Sequence, residues 1–285
     1  MGSAVPTPDQ EPHQAHRHDS DLRKDRWAVP LLEARPGGPA ERFARAVGRT
    51  HPVLVFLAAI LAGFAAIACL SIATGGLVTR ILVHAWGVGA ADERVEVWLA
   101  AHRVAWRTDA SLIGSIMAGG VALPILVGTI LVVCLLLRRW RIAAFVVFAL
   151  IVESASYRAT TLVIHRHRPR VVRLEHLPVN ASYPSGHTAA SIAVYGGLVL
   201  LLTSITRNRV FRVLAWTLAV AIPMFVALSR MYRGMHHPLD VAGGALVGIA
   251  ALMVVVFACR AAGAAAGMRR EHEQRREVTV GAGEA

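Results

Sequence analysis

The long apolar runs of this chain leave it few folds to choose from. Five stretches, Pro52–Thr79, Ala110–Leu137, Thr188–Thr206, Val213–Leu228 and Val241–Cys259, contain no Asp, Glu, Lys or Arg. A sixth, Ile142–Ile164, contains only Glu153 and Arg158. A helix of roughly 20 apolar residues crosses the hydrocarbon core of a bilayer. Inside that core every backbone polar group must be paired within the segment, which selects helices. The chain is 55% hydrophobic, but it is the gathering of that fraction into runs that matters, since a water-soluble core would disperse it. The pattern predicts an all-α, polytopic membrane protein with six transmembrane helices in a bundle and both termini on one side.

The charged residues set the orientation. The segment before the first run, the Arg138-Arg139-Arg141 loop, the Arg207-Arg209-Arg212 loop and the segment after the last run all fall on the same side. All four are basic, and the positive-inside bias assigns that side to the cytosol of a multi-pass plasma-membrane protein. Residues 1–48 read as a disordered basic cytosolic tail, 49–262 as the six-helix membrane domain, and 263–285 as a second cytosolic tail. Ala40–Arg49 is expected to form a short interfacial helix, and His13, His16 and His18 belong to the solvated tail. Residues 80–108, with Trp86, Trp98 and Trp106 among charges, suit a membrane-interface segment. Pro223 predicts a kink in the fifth span.

A net charge of +12 fits basic loops attracted to anionic lipid and excludes nucleic acid as a partner, since no nucleic-acid module interrupts the runs. Cys69, Cys134 and Cys259 lie inside apolar runs without ligand spacing and read as packing residues. No acidic cluster suits a metal, so neither metal nor cofactor is expected.

Two loops on the outer side break the charge bias, and an anionic ligand explains basic residues kept there. One ends in Tyr183-Pro184-Ser185-Gly186-His187, immediately before the fourth span. A helix N-terminus there offers unpaired N–H groups and a positive dipole end. Arg168 closes the third span and Arg230 ends the fifth, and guanidinium forks hold phosphate oxygens in pairs. His187 and His236 bring two imidazoles, and Asp240, four residues after His236, shares its face if both are helical. The set suits phosphoryl transfer without a metal. His236, oriented by Asp240, would attack phosphorus, and His187 would protonate the leaving oxygen. His237 reads as a packing or interface residue. Arg233 reads equally as a phosphate neighbour or a solvated cation, and Arg173, Glu175 and His176 as solvated loop.

Ser229-Arg230, five residues, His236, three residues and Asp240 resemble the third signature of the type 2 phosphatidic acid phosphatase superfamily, which also includes the vanadium haloperoxidases. Pro184-Ser185-Gly186-His187 matches its second signature and Arg168-Pro169 the end of its first. The resemblance, over about residues 50–260, implies a metal-independent membrane phosphatase acting on a lipid phosphate or diphosphate, polyprenyl or glycerolipid, through a phosphohistidine at the extracytoplasmic face. It assigns the nucleophile to His236, its orienting partner to Asp240, the acid to His187, and phosphate binding to Arg168, Ser185, Gly186 and Arg230. One position departs. Where the family's first signature has lysine, this chain has Thr161. Arg158, one turn earlier, is the first candidate to supply the missing cation, followed by His165, Arg166 and Arg170. The departure also motivates an alternative, a silent lipid-phosphate-binding or transport scaffold. Six apolar spans argue against a haloperoxidase.

Overall fold

The structure is a computed structural model that describes residues 29–48 and 51–283. The reading of residues 1–28 as a disordered tail, with its three histidines, lies outside the described residues. After a 3-10 turn at Pro30–Leu32, nine longer helices are described: α1 (Pro39–Val47), α2 (Pro52–Ala85, its last turns π-helical), α3 (Val88–Ala101), α4 (Ala105–Met117), α5 (Ala122–Leu136), α6 (Trp140–Val163), α7 (Gly186–Ile205), α8 (Arg209–Tyr232) and α9 (Pro238–Gly283). Among the described residues the one β-type pairing is an isolated bridge between Arg166 and Ala181.

Local signals account for the helix starts. Pro52 and Pro39 occupy first-turn positions, where their missing N–H costs nothing. Asn208 caps α8 by accepting from the Phe211 amide at 3.1 Å. His237 opens α9, its carbonyl accepting from the amides of Asp240 and Val241. Asp240 reaches back to the His237 amide at 2.8 Å, the acidic half of a capping box. The catalytic candidate thus doubles as the device that starts its helix.

Among the described residues five helices are long and apolar enough to cross a membrane, or six if a bent pair is counted as one span. The run Ala110–Leu137 is that pair. It is not one helix but α4 and α5, meeting at 43°. Gly119 and Gly120 sit at the break, where two residues without Cβ give the helix little reason to continue. α8 runs on through Pro223, and α9 continues well past Cys259 to Gly283, where a tail was expected. The helix expected over Ala40–Arg49 forms as α1, and its Ala40 and Ala44 pack on Ala261 and Ala265 of α9.

The bundle turns small residues inward and large apolar ones outward. Leu61, Val121, Leu136 and Met253 are all more than half exposed, which suits a hydrocarbon surround. Phe56 and Phe148 meet edge to face at 4.8 Å between α2 and α6. α7 and α9 lie deepest, with 56% and 50% of their apolar windows buried against 22% for α8. Gly244 lets them approach, because a Cβ there would lie 2.3 Å from the Ser185 carbonyl oxygen. Close backbone contact through small residues is how helices associate where the hydrophobic effect cannot drive them.

Glu153 and Arg158 do not pair with each other. Five residues apart, they lie well round the helix from one another. Glu153 is buried and takes a 3.0 Å bond from Ser154, while Arg158 shares the outer face of α6 with Leu162.

Because the atom met at Gly244 is backbone, Gly244→Val should lower the thermal midpoint in detergent, at a cost of about 1–3 kcal/mol. Gly267→Ala, which meets nothing within 4 Å, should leave it within about 0.5 kcal/mol.

Candidate active site

The two expected signature loops and the start of α9 converge at one end of the bundle. His236 lies in the turn between α8 and α9 and is buried. Its Nδ1 faces the Ser182 carbonyl oxygen at 2.7 Å. That contact is a hydrogen bond only if Nδ1 carries the proton, which leaves a lone pair on Nε2. Nε2 in turn faces Arg168 Nη1 at 3.4 Å. Burial first, and then the charges of Arg168 and Arg230, hold this imidazole well below its usual range. The result is a neutral ring with its unprotonated nitrogen beside a cation.

The expected direct pairing of His236 with Asp240 is not made. α9 begins only at Pro238, so His236 precedes the helix and does not share a helical face with Asp240. The Asp240 carboxylate instead accepts from Arg166, from Ser182 Oγ at 2.5 Å, and from the His237 amide, with His237 Nδ1 at 3.2 Å. Its influence on His236 passes through Ser182, which binds Asp240 with its hydroxyl and His236 with its carbonyl.

Arg168 is fixed by backbone oxygens. Nε donates to the Pro178 carbonyl at 2.8 Å, Nη2 to Ala181 at 2.9 Å, and Nη1 to Met235. One N–H on each terminal nitrogen is left over. Burial, above all, lowers its pKa to about 10, so it remains cationic at neutral pH. Arg230 is held differently. Its Nη1 donates to Ser115 Oγ and, at 2.7 Å, to Glu175 Oε2. Its Nε and Nη2 are buried with no partner among the described residues. Those two form the side-on edge of the guanidinium, the geometry that takes two oxygens of one phosphate.

Gly186 begins α7 and His187 follows in its first turn, where N–H groups point out of the helix end. The Tyr157 ring packs on Gly186, 3.1 Å from where a Cβ would stand. Ser185 Oγ lies 3.0 Å from Thr188 Oγ1.

The four candidates for the cation that replaces the family lysine lie in different surroundings. Arg158 faces outward, as described. His165 and Arg170 are exposed. Arg166 is buried but spent on an ion pair with both Asp92 and Asp240. Thr161 turns its hydroxyl to the Arg158 carbonyl at 3.0 Å.

Sequence reasoning missed three carboxylates. Glu175, taken for a solvated loop residue, bridges Arg230 at 2.7 Å and Arg233 at 2.5 Å. Burial alone would raise its pKa, but the charge and hydrogen bond of Arg230, with those of Ser115 and Arg233, bring it down to about 2. Asp92 and Glu93 sit on α3 and reach Arg166 and His237. The visible signal was a lone acid in a basic loop for Glu175, and an acidic stripe between tryptophans for the α3 pair. Among the described residues no group of three or more His, Cys, Asp or Glu side chains is placed to hold a metal.

Glu96, also on α3, is fully buried, and neither carboxyl oxygen has a partner among the described residues. Burial, then the charges of Asp92, Asp240 and Glu93, raise its pKa from 4.5 to about 9. Between those values the native state holds a proton that the unfolded chain has lost, so this group costs stability as pH rises. Glu96→Gln should therefore be more stable than wild type by a margin that grows from about pH 5 to 9, read as thermal midpoints across that range. A margin independent of pH would contradict the burial of a protonated acid.

The chain is similar to several known proteins. Residues 141–262 match the family model of the PAP2 superfamily. The chain is 40% identical over 89 residues to human sphingosine-1-phosphate phosphatase 2, covering 31% of this chain and 21% of that protein. It is 35% identical over 107 residues to an undecaprenyl-diphosphatase of Sulfolobus acidocaldarius, covering 38% and 48%. The chain thus spans less than half the length of these curated relatives. Its fold is similar to the crystal structure of a transmembrane PAP2-type phosphatidylglycerolphosphate phosphatase from Bacillus subtilis, with a TM-score of 0.55 at 22% identity, over 72% of this chain and 93% of that one.

Proposed function

We propose that this chain, whose residues 141–262 match the family model of the PAP2 superfamily, is an integral-membrane phosphohydrolase that removes phosphate from a lipid phosphate or diphosphate. The observation that carries the reading is the pairing of a neutral, buried His236, its Nε2 beside Arg168, with the unpartnered side-on edge of Arg230.

The reaction proceeds in two displacements. His236 Nε2 attacks phosphorus and forms the N–P bond as the P–O bond to the lipid breaks. His187, protonated when the phosphate dianion binds beside it, gives that proton to the leaving oxygen. Water then attacks the phosphohistidine, giving a proton back to His187 and releasing phosphate with His236 restored. Arg168, Arg230 and the first-turn amides of α7 neutralise the charge that spreads over the equatorial oxygens. Ser185 and Gly186 shape that helix end. The apolar tail stays among the lipid-facing helices, and a polyprenyl or glycerolipid phosphate fits that division. The extracytoplasmic position follows from the basic loops at the opposite end.

Thr161 favours a second reading, a lipid-phosphate binder that does not turn over, and one assay separates the two. Purified protein is expected to release phosphate from dioctanoyl phosphatidic acid or a short polyprenyl diphosphate. His236→Ala should reduce release to background, and His187→Ala should lower kcat roughly 10²- to 10⁴-fold. Wild type indistinguishable from His236→Ala would leave only the binder.

Orientation is tested separately. In a cysteine-free background, single cysteines at positions 170–180 should react with an impermeant maleimide on intact cells. Reaction only after permeabilisation would place the site on the cytosolic side.

A further inference from the structure

The chain has four tyrosines, and three of them bond their hydroxyls inside the protein. Tyr183 Oη lies 3.0 Å from Thr74 Oγ1. Tyr195 Oη donates to the Met117 carbonyl at 2.7 Å, and Tyr232 Oη accepts from the Val104 amide at 2.9 Å. The fourth, Tyr157 on α6, makes no hydrogen bond among the described residues. Its ring is nevertheless placed. Ring carbons stand 3.1, 3.2 and 3.4 Å from where a Cβ of Gly186 would be, so the ring lies against the residue that opens α7. The residue is partly exposed, and its hydroxyl is accessible rather than sealed in the bundle.

Two cations flank this phenol. Tyr157 interacts electrostatically with both Arg168 and Arg230, yet bonds neither. A phenol oxygen can accept from a guanidinium, and its proton can go only to an acceptor. Arg230 Nε and Nη2 also stand without partners, and a guanidinium has no acceptor to offer. What the phenol and the arginine edge share is the need for an acceptor that neither supplies. An oxyanion seated at the first turn of α7 meets both needs at once.

The position along α6 points the same way. Tyr157 precedes Thr161 by four residues and so lies one turn before it on the same face. Arg158, one residue on, faces outward with Leu162. The side chain that α6 lays against the α7 terminus is therefore a neutral donor.

We propose that Tyr157 is a phosphate-binding residue, its hydroxyl donating to an oxygen of the lipid phosphate held by Arg230 and the first turn of α7, in place of the ammonium that the family resemblance puts at Thr161. The assignment deepens the phosphatase reading above and rests on its phosphate site. A hydroxyl orients an oxygen in contact but adds no charge, so the site keeps the direction of that contact and gives up one unit of positive charge.

The competing role is packing of the ring on Gly186, and Tyr157→Phe keeps that packing while removing the hydroxyl. The full chain in detergent is titrated calorimetrically with orthovanadate, an analogue of the phosphate group. Tyr157→Phe should weaken vanadate binding about tenfold, as the loss of one hydrogen bond to a charged group does, with the thermal midpoint of the vanadate-free protein unchanged. With dioctanoyl phosphatidic acid, KM should rise about tenfold and kcat stay within about threefold, because the contact is made in ground and transition states alike. Equal vanadate affinity in wild type and Tyr157→Phe, with loss only in Tyr157→Leu, would reduce Tyr157 to a packing residue. Tenfold weaker vanadate binding by Tyr157→Phe in a protein that releases no phosphate would uphold the contact, and it is then the enzyme reading that fails. A wild type that binds no vanadate overturns both.

Discussion

The carboxylate of Asp240 is the point on which the rest of the site is assembled. It closes the first turn of α9 through the His237 amide, and it holds the 164–185 loop through Arg166 and Ser182. Through Arg166 it is also linked to Asp92 on α3. Removing one member of a buried ion cluster is costly, by roughly 3–5 kcal/mol, because the charges left behind stay out of water. Replacing a whole cluster with apolar groups is often neutral. The value of this arrangement lies in its geometry. Three segments far apart in sequence share one set of acceptors, so none can move without leaving a buried charge uncompensated.

The two guanidiniums of the site are held by opposite means. Arg168 gives three donors to backbone carbonyls, which carry no net charge, so its positive charge is undiminished and its fork is partly used. Arg230 is held by Glu175, which partly cancels its charge but leaves its side-on edge open. The first keeps the loop in shape and sets the field at His236 Nε2. The second keeps two adjacent donors open. Neither takes the place of the lysine that the family resemblance puts at Thr161.

What could be read from the sequence was what is local in sequence. The spans are written in runs of apolar residues, and the signature residues stand at fixed spacings. His236, His187, Arg168 and Arg230 are brought to one end of the bundle as those spacings suggest. Relations between distant segments were not legible. Glu175 looks like a solvated loop residue until Arg230 and Arg233, more than 50 positions away, close on it. The acidic stripe of α3 looks like the wet side of an interfacial helix, yet Asp92 and Glu96 are buried and the tryptophans are outside. The four-residue spacing of His236 and Asp240 suggested a shared helix face. Pro238 starts the helix two residues too late for that, and Ser182 takes up the contact instead. The break at Gly119-Gly120 was hidden because its flanks are equally apolar.

α9 is 46 residues long, about 69 Å at the usual rise per residue. Asp240 rides in its first turn, and α1 is packed against its far half. Treated as a rigid rod pivoting at its centre, it would move its end by about 1 Å for each 1.7° of tilt. Misplacements of that size can cost an enzyme two orders of magnitude. The angular tolerance of this helix is therefore a degree or two. The glycine-lined seam with α7 and the alanine contacts with α1 can be understood as the two bearings that hold a long lever to that tolerance.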